Sequence, residues 1–422
     1  MELAEKVLNR LCISKPQRKF LVILFTTILV VRGKVNFRNL SRYSDRSEKA
    51  YSRQFAQGFD FVAFNRQLIN ETIGTQGARV VAFDPSFIAK AGKKTYGRDF
   101  FWNGAHGRAE KGLEVSVLSI VDLERHTGFT LSVRQTTPTP DSSASSASKR
   151  KPAQRPKKQR RTAEEEGEET RIDLYLHHLR AVAPALLPTE KYLAVDGYFA
   201  KQKWIAGVEA LALHTIGKLR CDANMRFFYT GPKRAWGQGR QKTYAGKVDW
   251  QDLQDFDWVS NEEGIDLYTQ VLNHRSLKRT LRVVVVLDQR DPKHPRYALL
   301  FSTDLTLDAQ TIYRYYKARF QIEFIFRDAK QFTGLSDCQA RDADRLHFHF
   351  NASLTALNIA KCEQLEVHVG AEPMVNSIAS VKAGYFNEHY LQIIFSMLAL
   401  DPTSMKKTPA YQFLREYGKI AA

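Results

Sequence analysis

The sequence predicts a multidomain α/β protein with a helical and basic N-terminal region, an α/β core, a β-rich insertion and a helical C-terminal tail. Three observations carry this prediction. Two short apolar runs, Arg79–Phe83 and Tyr192–Val195, each end in an aspartate, Asp84 and Asp196, as buried strands do when their carboxyl ends open onto a site. Alternating apolar segments between them read as a hairpin followed by a helix. Residues 308–332 then repeat with the period of a helix and carry one narrow polar stripe.

The elements follow in order. Residues 1–75 are helical, with Leu3, Val7, Leu8 and Leu11 at helical spacing. The apolar run Phe20–Val31 contains Thr26 and Thr27 and is too short to span a bilayer, so it is expected as a buried helix. After Arg32-Gly33-Lys34, the segments Val35–Leu40 and Ser44–Phe55, the second with Arg46, Lys49 and Arg53, suit a DNA-binding helix-turn-helix or a plain helical bundle. Residues 76–220 form the first part of the core. Its first strand ends at Asp84, and Leu113–Val121 and Gly128–Val133 pair as a hairpin around Arg125-His126-Thr127. Within this part, residues 136–170 run from a Thr/Pro/Ser stretch through basic Lys149–Arg161 to acidic Glu164–Glu169, the composition of a disordered loop. Helix Ile172–Leu187, strand Tyr192–Val195, helix Phe199–Leu211 and strand His214–Leu219 complete it. Residues 221–305 are the insertion, with strands Met225–Tyr229, Leu281–Leu287 and Tyr297–Ser302 and with Trp236, Trp250 and Trp258. Residues 306–340 hold one long helix, Asp308 to Phe332, capped near Gly334. Residues 341–422 are helical. Strand, hairpin, helix, strand, helix, strand and a final helix is the order of an RNase H-like α/β core.

The chain has 422 residues and a net charge of +18. The charged loop contributes little of this, since residues 137–170 hold eight basic and six acidic side chains. The ordered part is therefore basic in its own right, which points to a polyanionic partner, nucleic acid before a membrane surface. Cys12, Cys221, Cys338 and Cys362 form no CxxC pair and match neither a zinc site nor a disulfide framework. Acidic residues among the first six positions speak against a signal peptide, so a cytoplasmic protein is expected.

Chemistry concentrates on the final helix. Tyr316, Arg319, Glu323 and Lys330 fall within an arc of roughly 60° at about 100° per residue, and Arg327 joins the same stripe. Phe320, Ile322, Phe324, Ile325 and Phe326 make the flanks apolar, so the stripe is expected to line a cleft rather than form a surface ladder of Arg–Glu pairs. Asp84-Pro85-Ser86 and Asp196-Gly197 would each suit a turn or cap if taken alone. With Glu323 they become three carboxylates from three elements, a donor set for Mg²⁺ or Mn²⁺. Two such ions about 4 Å apart activate a nucleophile and stabilise the leaving oxygen of an in-line displacement. The glycine-broken loop Lys233–Tyr244, with Arg234, Trp236, Arg240 and Lys242, suits phosphate tracking with base stacking. His347 and His349, alternating with Phe348 and Phe350, read as packed helix residues rather than ligands.

The stripe Tyr316-x2-Arg319-x3-Glu323-x6-Lys330 resembles the signature of the YREK group of bacterial DDE transposases, known as insertion sequence family four. Asp84-Pro85-Ser86-Phe87-Ile88, with Lys90, Gly92-Lys93-Lys94 and Tyr96-Gly97, resembles that family's first-aspartate block. Lys111-Gly112-Leu113-Glu114 resembles the strand after it, and Val195-Asp196-Gly197-Tyr198-Phe199 the second-aspartate block. The resemblance implies a DNA transposase that cuts at transposon ends, passes through a hairpin and joins the freed 3′-hydroxyl to target DNA. It implies that Asp84, Asp196 and Glu323 coordinate two Mg²⁺ or Mn²⁺ ions and that Tyr316, Arg319 and Lys330 contact phosphates. It also implies a homodimer on paired terminal repeats. Tyr297 stands where the family has an aromatic residue stacked on a flipped base; a strand-core residue is the alternative. The 136–170 stretch and the N-terminal region match nothing in the family. The rival readings are a metal nuclease that cuts without joining and a non-catalytic DNA-binding protein derived from a transposase.

Overall fold

In chain order the helices are α1 (Glu2–Arg10), α2 (Lys15–Val30), α3 (Phe37–Leu40), α4 (Glu48–Gln54), α5 (Phe61–Ile73), α6 (Arg171–Val182) and α7 (Gln202–Glu209). They continue with α8 (Ala309–Ala318), α9 (Gln321–Asp328), α10 (Ala343–Val367), α11 (Ile378–Met397), α12 (Pro402–Met405) and α13 (Pro409–Glu416). The strands are β1 (Arg79–Ala89), β2 (Asp99–Asn103), β3 (Arg108–Asp122), β4 (Thr127–Thr136), β5 (Tyr192–Ala194) and β6 (His214–Leu219). The remaining strands are β7 (Met225–Phe228), β8 (Tyr244–Lys247), β9 (Asp257–Glu262), β10 (Ile265–His274), β11 (Arg279–Asp288) and β12 (Arg296–Ser302). The computed structural model describes residues 1–137, 169–234, 239–291, 296–367 and 377–420. The expected loop 136–170 therefore lies almost wholly outside the described residues, as does Trp236.

The strands form one mixed sheet in the order β2-β3-β1-β5-β6-β12-β11-β10-β7-β8, with β4 also beside β3 and β9 beside β10. β1 is its centre. It pairs antiparallel with β3 from Arg79 to Ala89, but parallel with β5 only at Val81 and Ala82. The sequence reading ended this strand at Asp84. In the structure the strand continues to Ala89, and the parallel pairing is what stops just before Asp84. Pro85 has no N–H to give, and proline is tolerated where one strand edge is unpaired.

The insertion does not stack as a separate layer. Its last strand, β12, pairs antiparallel with β6 through Leu299↔Leu219, so the segment lengthens the core sheet. β8 and β9 escaped the sequence reading because their residues are mostly exposed and offer no apolar run; β2 and β10 escaped it as well.

The free edge of β4 is covered by side chains. The pairing of β4 with β3 skips Leu131, a bulge that turns successive carbonyls outward. Asn358 accepts from Thr130 N (2.9 Å) and donates to Thr130 O (2.7 Å), while Lys361 donates to Gly128 O (2.8 Å). Asn65 of α5 reaches Leu131 O and Asn351 reaches Val133 O. These bonds satisfy backbone groups that burial would otherwise leave unpaired. On the other face of the sheet, buried His178 of α6 joins Ser116 and Ser132 across β3 and β4. Burial holds this imidazole down to about 3, so it stays neutral.

The N-terminal helices share the core with the rest of the chain. Phe20, Leu24, Phe25 and Ile28 of α2 are buried in the same cluster as the sheet and α10. Among the described residues, no helix is long and apolar enough to cross a membrane. A buried ion network ties α5 to the sheet. Glu190 is fully buried and accepts from Arg66 Nη1 and Nη2 (3.0 and 2.8 Å) and from Leu187 N (3.0 Å), with Arg79 Nη1 at 3.6 Å.

Removing one partner from such a network strands the others as buried charges. Glu190→Ala is therefore expected to lower unfolding free energy by about 3–5 kcal/mol in a urea titration. A change below about 1 kcal/mol, the value typical of an exposed pair, would show that the network is solvated.

Candidate active site

Each acid is brought to the same edge by a different local device. Asp84 lies on β1 just past its parallel pairing with β5. Asp196 follows β5 and accepts the Tyr198 N–H (2.9 Å), capping the turn Gly197–Phe199. It thus fills the turn role its sequence allowed while standing at the carboxyl end of the parallel strands, where sites form in such sheets. Glu323 comes from α9, which packs on β1 and β4.

The long helix expected over 308–332 is divided. α8 ends at Ala318, and Phe320, Ile322 and Glu323 bond three residues back, to the carbonyls of Lys317, Arg319 and Phe320. This tightened turn separates α8 from α9. A π turn, Ala329–Thr333, then carries Lys330, and Gly334 closes it with a positive φ of 77°. A side chain at Gly334 would collide with Val35, so glycine is required there both sterically and conformationally.

Arg319 is the centre of the arrangement. Its side chain is only 12% exposed, with Nη1 3.8 Å from Asp84 and Nη2 3.1 Å from Glu323. The guanidinium also lies 5.7 Å from the Tyr316 ring centroid, and its buried Nε has no hydrogen-bond partner among the described residues. Asp84 is 21% exposed. Burial pushes its carboxyl up to about 7, with Asp196 adding to the rise, Arg319 opposing it and Glu323 and Glu114 contributing less. Lys330 donates to Ser86 Oγ (2.9 Å), two residues along β1 from Asp84 and so on its face.

The structure thus gathers Asp84, Asp196, Glu323, Tyr316, Arg319 and, through Ser86, Lys330. Among the described residues, no three acidic, histidine or cysteine groups yet stand close enough to hold a metal ion. Arg319 lies between Asp84 and Glu323 instead. The donor chemistry nonetheless suits a hard cation, with three carboxylate groups offering oxygen donors.

The other expected residues lie further off. Arg327 pairs with Asp328 (2.9 Å) and lies over Phe324, apart from the acids. Tyr297, 40% exposed, donates to Cys221 O (3.2 Å) at the carboxylate edge of the sheet, three strands from β1. Arg234, Arg240 and Lys242 are exposed between β7 and β8, with Arg234 bonded to Arg240 O and Lys242 over Tyr229. Six strand spacings put this loop roughly 30 Å from β1, so the structure does not bring it to the acids. His349 is buried and bonds Gly334 O (2.8 Å), a packing role. Sequence reading missed Ser86, which strand parity with Asp84 could have found. It also missed Lys201, which sits beside Asp196 with its ammonium 3.3 Å from the Tyr198 ring centroid and which no spacing rule marks.

Carboxylates flanked by cations at the carboxyl edge of a mixed sheet have the chemistry that phosphodiester cleavage requires. The chain belongs to the DDE superfamily endonucleases, whose family model matches residues 10–267. That stretch includes Asp84 and Asp196 and stops short of Glu323. No curated protein matches the chain. Family membership makes this a transposase-like or nuclease-like enzyme with DNA as substrate.

Metal binding is testable without turnover. Adding Mg²⁺ or Mn²⁺ to chelator-stripped protein is expected to raise its melting temperature, by about 2.7 kcal/mol of stability at one hundred times the dissociation constant. Asp84→Asn and Asp196→Asn should lose that response. A full response in both variants would place the ion elsewhere.

Proposed function

We propose that the chain is a transposase of the YREK group, built on an RNase H-like core, that cuts at transposon ends and joins them to target DNA. The observation that supports this most is the meeting of Tyr316, Arg319 and Glu323 with Asp84 around one guanidinium. The strand order β4-β3-β1-β5-β6, three antiparallel strands followed by two that run parallel to β1, supports the RNase H-like reading.

In this reading Asp84, Asp196 and Glu323 hold two Mg²⁺ or Mn²⁺ ions, which when bound activate the attacking water or 3′-hydroxyl and stabilise the leaving oxygen. The side chains supply the rest. Arg319 presents a planar set of donors, one of them without a partner, suited to the non-bridging oxygens of a phosphate. Lys330, held by Ser86, adds a point charge on the same face. The Tyr316 ring supports the guanidinium. Arg327 stands outside this group as a rim contact for backbone phosphates. The half-exposed Tyr297 ring is the family's base-stacking position in the hairpin step. The enzyme acts as a homodimer on double-stranded terminal repeats, in the cytoplasm of a bacterial cell.

The helical region 1–75 is the proposed duplex-binding part. Lys15, Lys19, Arg46 and Arg53 line a groove of about 590 Å³ between α2 and α4, floored in part by Phe20 and Ala50. None of these four cations forms an ion pair among the described residues, so they remain available to phosphates. The family's endonuclease description favours one other reading, a nuclease that cuts without joining.

Asp84→Ala, Asp196→Ala and Glu323→Ala are each expected to abolish cleavage of end DNA while leaving duplex affinity within a few-fold, because affinity comes mainly from phosphate contacts. Wild-type protein given a pre-cut end should join it to a plasmid; cutting without joining would leave the nuclease reading. The double variant Lys19→Ala/Arg53→Ala should flatten the salt dependence of duplex binding by roughly one slope unit for each phosphate that is no longer neutralised. An unchanged slope would move duplex binding away from the groove.

A further inference from the structure

The face of the sheet that carries Asp84 does not end at the acids. Residues two apart on a strand share a face, and directly paired residues on neighbouring strands share it as well. Asp84 pairs with Val117 and Ser86 with Val115, so this face runs along β3 through Leu113 to Lys111 and Ala109. Lys111 pairs with Phe100 and Ala109 with Trp102 on β2. Phe100 and Trp102 therefore lie on the face of Asp84 and Ser86. Six strand residues separate Val117 from Lys111, roughly 20 Å at 3.3 Å per residue.

These two rings are 41% and 60% exposed, whereas Phe101 between them turns to the opposite face and is 1% exposed. The Lys111 ammonium stands 5.1 Å from the Phe100 ring centroid. Tyr96, 48% exposed, precedes the strand and is anchored by its N–H to Arg341 O (2.8 Å). Residues 90–111 hold six basic and two acidic side chains. Of the two acids, Glu110 is already engaged by Asn103, His106 and Arg108. Open aromatic faces among cations are the chemistry that holds a nucleic-acid strand by its bases and phosphates together.

We infer that the β2–β3 face is a second DNA site, which stacks unpaired bases of the strand running away from the carboxylate centre. Bases inside a duplex are already stacked on one another and offer an aromatic side chain only their edges; unpaired bases offer a full face. Phe100 and Trp102 are about 7 Å apart along the strand, which leaves room for one base on each. The inference rests on the DNA-processing reading but needs neither the metal nor the cut.

The test is anisotropy in chelator, with a labelled single-stranded oligothymidine and a blunt duplex of equal length. Phe100→Ala/Trp102→Ala is expected to weaken single-strand binding by about tenfold or more and to leave duplex binding nearly unchanged. Trp102→Tyr with Phe100 intact should retain most of the single-strand affinity. Equal losses on both probes would make the patch a general duplex surface, and no loss on the single strand would remove the stacking role. A second readout uses only the wild type: a bromodeoxyuridine strand should photo-crosslink to Trp102 or Phe100, and crosslinks found solely elsewhere would overturn the inference. A wild type that binds neither probe would sink the DNA-processing reading itself, a distinguishable result.

Discussion

Neighbouring carboxylates cannot all be buried as anions without a cation among them, and the architecture around Asp84 follows from that constraint. At 4 Å and an effective dielectric near 20, one opposite charge contributes about 4 kcal/mol, enough to offset much of a partial desolvation. Arg319 supplies that charge at 3.8 Å from Asp84 and 3.1 Å from Glu323. Its position depends on the tightened turn between α8 and α9, since a continuous helix would not break its bonding pattern there. Asp84, in turn, depends on β1 outlasting β5, so that its carboxyl meets the space past Ala194 rather than a neighbouring strand. Even with Arg319 present, Asp84 is pushed up to about 7, by burial first and Asp196 second. The site is thus under-compensated, which is the condition that favours a further cation.

The sheet converts this local arrangement into a long working surface. Beyond the end of β5, β1 and β3 continue as a ribbon that carries Ser86 and then the β2 aromatics on one face. In the other direction the insertion adds strands after β6, so Tyr297 and the Arg234 loop stand at increasing distances from the acids. Such a ribbon needs a rigid base. The polar side chains of α5 and α10 that close the β4 edge, and the Glu190 network at the start of β1, provide it.

What could be read from the sequence was whatever repeats with a period or ends an apolar run. Asp84 and Asp196 were legible because buried strands precede them, and Glu323 because a helical stripe carries it. His214–Leu219 matches β6 residue for residue for the same reason. The break at Arg319–Phe320 was not legible: the residues there are ordinary helix formers, and a tertiary pull on the arginine leaves no mark in propensity. β2 was missed because its alternation is aromatic on both faces, one side buried and one exposed, which hides the period of two. Arg327 shows the limit of angular reasoning. It lies one turn after Glu323 on the same helix α9, yet its guanidinium bonds the neighbouring Asp328.

The positive charge of the chain falls into two populations, and they have different work. Arg66, Arg79, Arg319 and Lys361 are spent inside, on Glu190, the acids and the β4 edge. Among the described residues, the cations left open to a polyanion include those of the α2–α4 groove and of the loop before β2. These two regions are joined through one short segment. Arg345 Nε donates to Ser52 O of α4 (2.7 Å), and Arg341 O accepts the Tyr96 N–H (2.8 Å). Val35 N, beside the groove helices, bonds Asp337 (2.8 Å), three residues past the glycine that closes the π turn. Residues 334–345 therefore tie the groove, the aromatic face and the end of the Glu323–Lys330 segment to one backbone.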